Sequence, residues 1–363
     1  MPIWSQWTGK LLSQKTETVD SDLSWTQYTW QMGTDTVRMQ VLVADLRGIH
    51  IGLVLARDQV IGQETVSSMV ARTGALAGVN GGFSFSNDPW NNYHGDPRDL
   101  LVRGGRLLSE PLSTRSSFAL IEADDRQVPV FDQFTWEGYL RVGADTLRLT
   151  GVNRVRDSAD VLLYTPEYNR TTLTDPSGLE FACRQNRCTL LSGGSNPIPA
   201  DGFILSLAAD RAGAWRERLS DGEVSLVQRL RAQRYPDLDP VHIWTAGPTL
   251  LRQGKLALDW ADESIKPSFG STRHPRTAVG YDPEQHRLWL VVVDGRQPGW
   301  STGIRLDDLA HFFQYLGASE AYNLDGGGSS TMVIGDRVVN RFSDPRERRR
   351  CDAVVLFPRS ERH

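Results

Sequence analysis

Only three cysteines occur in 363 residues, too few for a disulfide framework to hold the fold together. Cys183 and Cys188, in FACRQNRC, either close a small loop in an oxidising compartment or stand as two thiols of a reduced protein. No second pair or suitably spaced histidines accompany them, as a zinc site would require. Charge of one sign is lacking too. The 40 Lys and Arg against 44 Asp and Glu leave a net −4, so there is no global footprint for nucleic acid. Long apolar runs are also absent: Leu288–Val293 and Ile51–Ala56 extend for about six residues, against the ~20 of a membrane-spanning helix. The N-terminal MPIWSQWTGKLLSQKTE has no apolar core of signal-peptide length. Two localisations stay open, the cytoplasm or a mature secreted form with its leader removed. No Gly-Lys-Ser/Thr follows a glycine loop, and neither a G-x-S-x-G elbow nor an H-E-x-x-H helix occurs.

What is present is a loop-rich chain of globular composition, with 33 glycines, 18 prolines and 9% aromatics. Its length is enough for a large core. VRMQVLVADL and GIHIGLVLA alternate as strands, a helix is expected over about 62–73, and ALAGVN reads as a short buried strand. Short strands and turns follow over 118–206. Residues 207–233 have helical character, weakened by Gly213 and Gly222. RLWLVVVDG and CDAVVLF read as strands. LDDLAHFFQYLG is expected to be a helix with Leu306, Leu309, Ala310, Phe313 and Leu316 on one stripe, stopped by Gly317. The pattern predicts an α+β class with mixed sheets and few helices. The expected division is an N-terminal segment 1–39, partly strand, a single catalytic domain 40–357 and a tail 358–363.

One internal echo recurs. A helix, Gly74-Ala75, a strand and Asn80-Gly81-Gly82 parallel a helix, Gly317-Ala318, a strand and Asn323-Leu324-Asp325-Gly326-Gly327, with the same offset from glycine to asparagine. Two short matches are not a repeat array, but they suggest two similar units that bring an asparagine and a glycine loop to one cleft.

The chemistry-bearing stretch is NLDGGGSSTM. Gly326, Gly327 and Gly328 leave no side chains between ligand and backbone, so several N–H groups can face an anion. Ser329 and Ser330 add hydroxyls, and Asp325 places a carboxylate at the mouth. In VVVDGR a strand ends in Asp294 and Arg296, where site residues and turn-capping aspartates both occur. HPRTAVG brings Arg276 and Thr277, a guanidinium suited either to phosphate or to an ordinary salt bridge. VNGGFSF adds Asn80, Gly81 and Gly82, while PRERRR at 345–350 reads as a solvated turn.

Taken together, VNGGF, DGFILS, TAGPTLLRQGK, HPRTAVG, VVVDGR with Ser301-Thr302-Gly303, and NLDGGGSSTM resemble the phosphodiester glycosidase family, in family order over about residues 40–357. The resemblance implies a glycosidase that hydrolyses a sugar-1-phosphate diester, releases the sugar and leaves a phosphomonoester. Asp325 and Asp294 are then the carboxylates that attack C1 or activate water. Asn80 and Asn323 orient hydroxyls or the water. Arg276, Thr277, Arg296 and the residues of both glycine loops hold the substrate. Carbohydrate or a sugar phosphate is the implied partner, with N-acetylglucosamine and exopolysaccharide among the sugars considered. A divalent cation, calcium or magnesium, is compatible with the aspartates but demanded by no ligand spacing. Two alternatives stay open, a metal-assisted phosphodiesterase cleaving P–O and a non-catalytic carbohydrate-binding or assembly protein. Ser84 stands where the family motif continues with a second phenylalanine. The insert NDPWNNYHGDPRD adds a further departure where sugar or aglycone would lie.

Overall fold

A computed structural model of the chain describes residues 9–85, 95–258 and 260–359. Residues 1–8 of the N-terminal segment, most of the insert after Phe85 and the end of the tail lie outside the described residues. Strands dominate, and the helices are few and short. An eight-stranded sheet runs Lys10–Asp20, Leu23–Met32, Asp35–Asp45, Arg287–Val293, Arg276–Asp282, Glu320–Asn323, Thr249–Arg252, Lys255–Leu256. A second, five-stranded sheet runs Arg337–Val338, Met332–Ile334, Ala77–Asn80, Asp352–Pro358, Ile49–Leu55. Two further sheets lie in the middle of the chain. All pairings are antiparallel except Gly151–Val152 beside Val161–Tyr164. The boundary expected at residue 39 cuts through strand Asp35–Asp45, and the earlier strands continue the same sheet.

The two helices expected from periodicity form at Val66–Thr73 and Leu306–Leu316. Each ends on a left-handed glycine, Gly74 at φ 69° and Gly317 at φ 91°, where a side chain would be strained. Leu306, Leu309, Ala310, Phe312 and Phe313 bury one face of the second helix against the eight-stranded sheet. The helical reading of 207–233 fails in its second half. Helices Ala209–Ala212 and Arg216–Asp221 are followed by strand Val224–Ala232, paired along Phe134–Val142. Extended backbone at Gly222 ends the helix, and the β-branched residues of VSLVQRLRA pair better as a strand than they fill a helix. Cys183 and Cys188 sit opposite one another in hairpin Leu179–Arg184 and Arg187–Leu191 and are joined as a disulfide.

The internal echo has an architectural basis. Ile49–Leu55, helix Val66–Thr73 and Ala77–Asn80 form a unit whose two strands are parallel, with Asp352–Pro358 inserted antiparallel between them. Arg287–Val293, helix Leu306–Leu316 and Glu320–Asn323 repeat it, with Arg276–Asp282 inserted. Asn80 and Asn323 end equivalent strands and pair with Ala353 and Ala278 of the inserted strands.

Close helix–sheet approach in the second unit depends on Gly280, whose added Cβ would lie 2.5 Å from the Phe313 ring and 3.2 Å from Ala318. Gly280→Ala is expected to cost about 1–3 kcal/mol through overpacking. Urea unfolding measures it, and an unchanged midpoint would mean that the helix shifts freely.

Candidate active site

The two asparagine-bearing strand ends meet at one point. The Asn80 side chain is fully buried: its Oδ1 accepts from Thr277 Oγ1 at 2.8 Å and from the Thr331 amide at 3.1 Å, while Nδ2 donates to the Asp325 carbonyl at 2.7 Å. The glycine loops also cross-bond, because the Asp325 amide donates to the Gly81 carbonyl at 3.1 Å. Asn323, equally buried, donates to the carbonyls of Gly247 and Leu324. Asn80, Asn323 and Thr277 therefore form a frame beneath the surface, and their contacts are within the protein.

Asp325 is the carboxylate this frame presents. Its Oδ1 accepts from the Gly326 amide at 2.9 Å, and its Oδ2 pairs with Arg350 Nη2 at 2.6 Å. Arg350 also donates to Ser84 Oγ at 2.8 Å and is 2% exposed. The reading of 345–350 as a solvated turn is thus wrong at its last residue. Arg350 lies just before a strand as Arg276 opens one, and that shared position was the signal available in the sequence. Asp352, two residues on, accepts from the Gly82 amide at 2.9 Å and faces the buried Cys351 thiol. Burial raises the pKa of both groups. A Cβ at Gly81 would collide with the Asp352 carboxylate, so this loop is glycine by close packing.

The longer glycine loop differs from expectation. Its amides are largely engaged inside the protein: Gly326 with Asp325, Gly327 with the Pro275 carbonyl, Ser329 and Ser330 within the turn, and Thr331 with Asn80. Gly328, Ser329 and Ser330 are buried, leaving Asp325, Gly326 and Gly327 partly accessible. The loop is glycine-rich because backbone and basic side chains press on it. A Cβ at Gly326 would lie 2.9 Å from the Pro275 carbonyl, and one at Gly327 would lie 3.2 Å from Arg296 Nη2.

These basic groups form the other half of the site. Arg296 is exposed, sits at φ 58°, and directs Nε and Nη2 to His274 Nδ1 at 3.3 and 3.2 Å. Arg276 lies behind, 1% exposed, with its guanidinium donating to the carbonyls of Phe269, Thr272 and Ile304. Burial, then the Arg296 charge, lowers the Arg276 pKa to about 9. Burial followed by Arg276 and Arg296 lowers His274 to about 4, so the imidazole is neutral at pH 7 and accepts from Arg296. Among the described residues no carboxylate pairs with Arg276 or Arg296. Such a concentration of uncompensated positive charge favours an anion.

Asp294 is buried, and burial raises its pKa. Its oxygens accept from Trp300 Nε1 at 2.7 Å and the Arg341 amide at 3.0 Å. It thereby fixes Trp300, which lies under Arg38 and Arg341. Sequence reasoning missed His274 as a site residue although it stands within HPRTAVG. Among the described residues no three His, Cys, Asp or Glu side chains converge in a metal-holding arrangement. The guanidinium on Asp325 is moreover a poor neighbour for a cation.

The Asp325 loop thus stands beside a basic cluster that has no carboxylate partner among the described residues, on paired split β-α-β units. Residues 184–357 match the phosphodiester glycosidase family model, and the chain resembles that family as its motifs indicated. Asn80 and its glycines precede the matched stretch and join the same cleft through the contacts above. The chain is 32% identical over 114 residues to the SPbeta prophage-derived uncharacterized protein YomE of Bacillus subtilis (strain 168), covering 31% of this chain and 16% of that protein. It is 41% identical over 69 residues to the Bos taurus N-acetylglucosamine-1-phosphodiester alpha-N-acetylglucosaminidase, covering 19% of this chain and 12% of the relative. The matches thus span less than a fifth of either relative. The crystal structure of a hypothetical protein from Synechocystis superposes with a TM-score of 0.76 at 21% identity, over 96% of this chain and 64% of that one, and shares the fold.

Arg350→Met removes the cation from a buried pair and is expected to cost about 3–5 kcal/mol, with Arg350→Lys recovering part of the loss. Equal urea midpoints for wild type and Arg350→Met would remove the ion pair from the account of how Asp325 is held.

Proposed function

We propose that this protein hydrolyses the glycosidic bond of a glycosyl phosphodiester. The observation that carries the reading is the uncompensated Arg276–Arg296–His274 cluster beside the Asp325 carboxylate. Asp325 acts at the anomeric carbon, as nucleophile or as base for water. The C1–O bond breaks, the bridging oxygen leaves with phosphorus as a phosphomonoester, and oxygen from water ends on the sugar. Phosphate is already a good leaving group, so stabilising its charge matters more than protonating it. Arg296 is the exposed group that contacts the phosphate, with Arg276 and the edges of Gly326 and Gly327 behind it. Asn80, Thr277 and Asn323 position the Asp325 loop, and Asp294 positions Trp300, on which Arg38 and Arg341 stack. The finer family expectations, an N-acetylglucosamine donor or an exopolysaccharide substrate, are supported by the name of the bovine relative in the first case and by the carbohydrate class in the second.

With UDP-N-acetylglucosamine and simple glycosyl phosphodiesters as substrates in oxygen-18 water, label is expected in the sugar. Asp325→Asn is expected to lower kcat by at least about 10³-fold while leaving the circular dichroism spectrum unchanged. Label in phosphate would instead establish P–O cleavage, and a fully active Asp325→Asn would remove that carboxylate from the mechanism.

A further inference from the structure

The arginines of Pro345–Arg350 divide by direction. Arg350 turns inward to Asp325. Arg348 pairs with Asp344 Oδ2 at 2.6 Å and presses on Gly328, where a Cβ would collide with its guanidinium. Arg346 and Arg349 are exposed. They line a cavity of about 640 Å³ together with Gln63, Thr65, Arg348 and the acids Asp344 and Glu347.

The acids of this segment are already engaged. Glu347 accepts from the Ser67 amide at 3.0 Å and from Ser67 Oγ at 2.5 Å, at the start of helix Val66–Thr73. Asp344 is tied to Arg348. Among the described residues neither Arg346 nor Arg349 has a carboxylate partner, and with Arg348 held by Asp344 and Glu347 turned to Ser67 the three arginines outnumber the two acids of the lining by one charge. It also borders the catalytic loop. Arg348 touches Gly328, the residue after the Gly326–Gly327 edge where the scissile phosphate is placed, and the Arg350 backbone bonds to Glu64 on the cavity's other side.

We propose that this cavity is an anion subsite for the aglycone, so that the preferred substrate carries a further phosphate beyond the diester that is cleaved. The inference rests on the hydrolytic reading above. Arginine forks suit phosphate oxygens better than ammonium groups do. Two exposed guanidinium groups supply a contribution that weakens as salt rises. A repeating glycosyl-phosphate chain and the diphosphate of a nucleotide sugar both offer this chemistry.

The test compares wild type with Arg346→Ser/Arg349→Ser on three substrates: a methyl glycosyl phosphodiester, UDP-N-acetylglucosamine and a two-repeat glycosyl-phosphate oligomer. KM is expected to rise about tenfold on the oligomer, the nucleotide sugar or both, with kcat unchanged and the methyl diester unaffected. A rise on the oligomer alone assigns the subsite to a chain phosphate, and a rise on the nucleotide sugar assigns it to the adjacent diphosphate. Equal effects on all three substrates, or none, overturn the proposal. Calorimetric binding of inorganic tripolyphosphate separates this inference from the reaction itself. Affinity lost in the double variant supports the anion site even if wild type cleaves none of the diesters, an outcome that would sink the hydrolytic reading alone. Equal affinity of wild type and variant overturns the site.

Discussion

The three hydrogen bonds of the Asn80 side chain hold the site together. Its two polar ends reach Thr277 on the inserted strand of one unit, Thr331 beyond the long glycine loop, and the carbonyl of Asp325. A buried amide left with an unmet donor or acceptor costs about 1–3 kcal/mol, so any movement of one partner is opposed by the loss of the others. An aspartate there could not donate to the Asp325 carbonyl while ionised, and a leucine would leave three buried polar groups without partners. Asparagine is the side chain that both donates and accepts over this short reach.

Electrostatics then separate the two sides of the Asp325 loop. On one side Arg350 is matched by Asp325 and Ser84, which fixes the carboxylate. On the other, Arg276 and Arg296 face no carboxylate among the described residues; burial and then both fields depress His274, and the Arg296 charge adds to burial in lowering Arg276. Burial alone would disfavour the charges of Arg350 and Arg276. The pair on one side is compensated internally, whereas the cluster on the other gains from an anionic ligand. That asymmetry puts a paired carboxylate on one side of the loop and an unmatched basic cluster on the other.

The sequence made the strands, both long-lived helices and the motif loops legible, because alternation and the 3.6-residue stripe are local signals. Asp325, Arg296 and Asn80 could be picked out because they lie in short runs whose composition is hard to explain by turns alone. What those runs conceal is direction. Ser329 and Ser330, expected to meet substrate, are buried in and just after the short turn Gly327–Ser329. Arg350 was hidden in a run of four arginines within five residues, where composition suggests solvent. Its burial depends on Asp325 and Ser84, both distant in sequence. The strand at Val224–Ala232 was missed for a similar reason: its partner lies some ninety residues earlier, and tertiary pairing overrode a helical-looking composition.

The duplicated units explain why the site has two arginines of opposite roles. Each unit admits a strand between its parallel pair, and each inserted strand brings a buried arginine at or just before its start, Arg276 in one and Arg350 in the other. The segments around them have diverged. His274 and Pro275 precede the first arginine, and the loop there carries no acid. Cys351 and Asp352 follow the second, and Asp352 is spent on the Gly82 amide. Only one of the two equivalent glycine loops carries a carboxylate, because Asp325 follows Asn323 whereas Gly81 and Gly82 follow Asn80. A Cβ at Gly81 would strike Asp352, and one at Gly328 would strike Arg348 and Asp344, so both loops pack tightly against charged side chains. The pseudo-symmetric scaffold thus supplies one loop that carries an acid and one that does not, and the Asn80 bridge is where the second is coupled to the first.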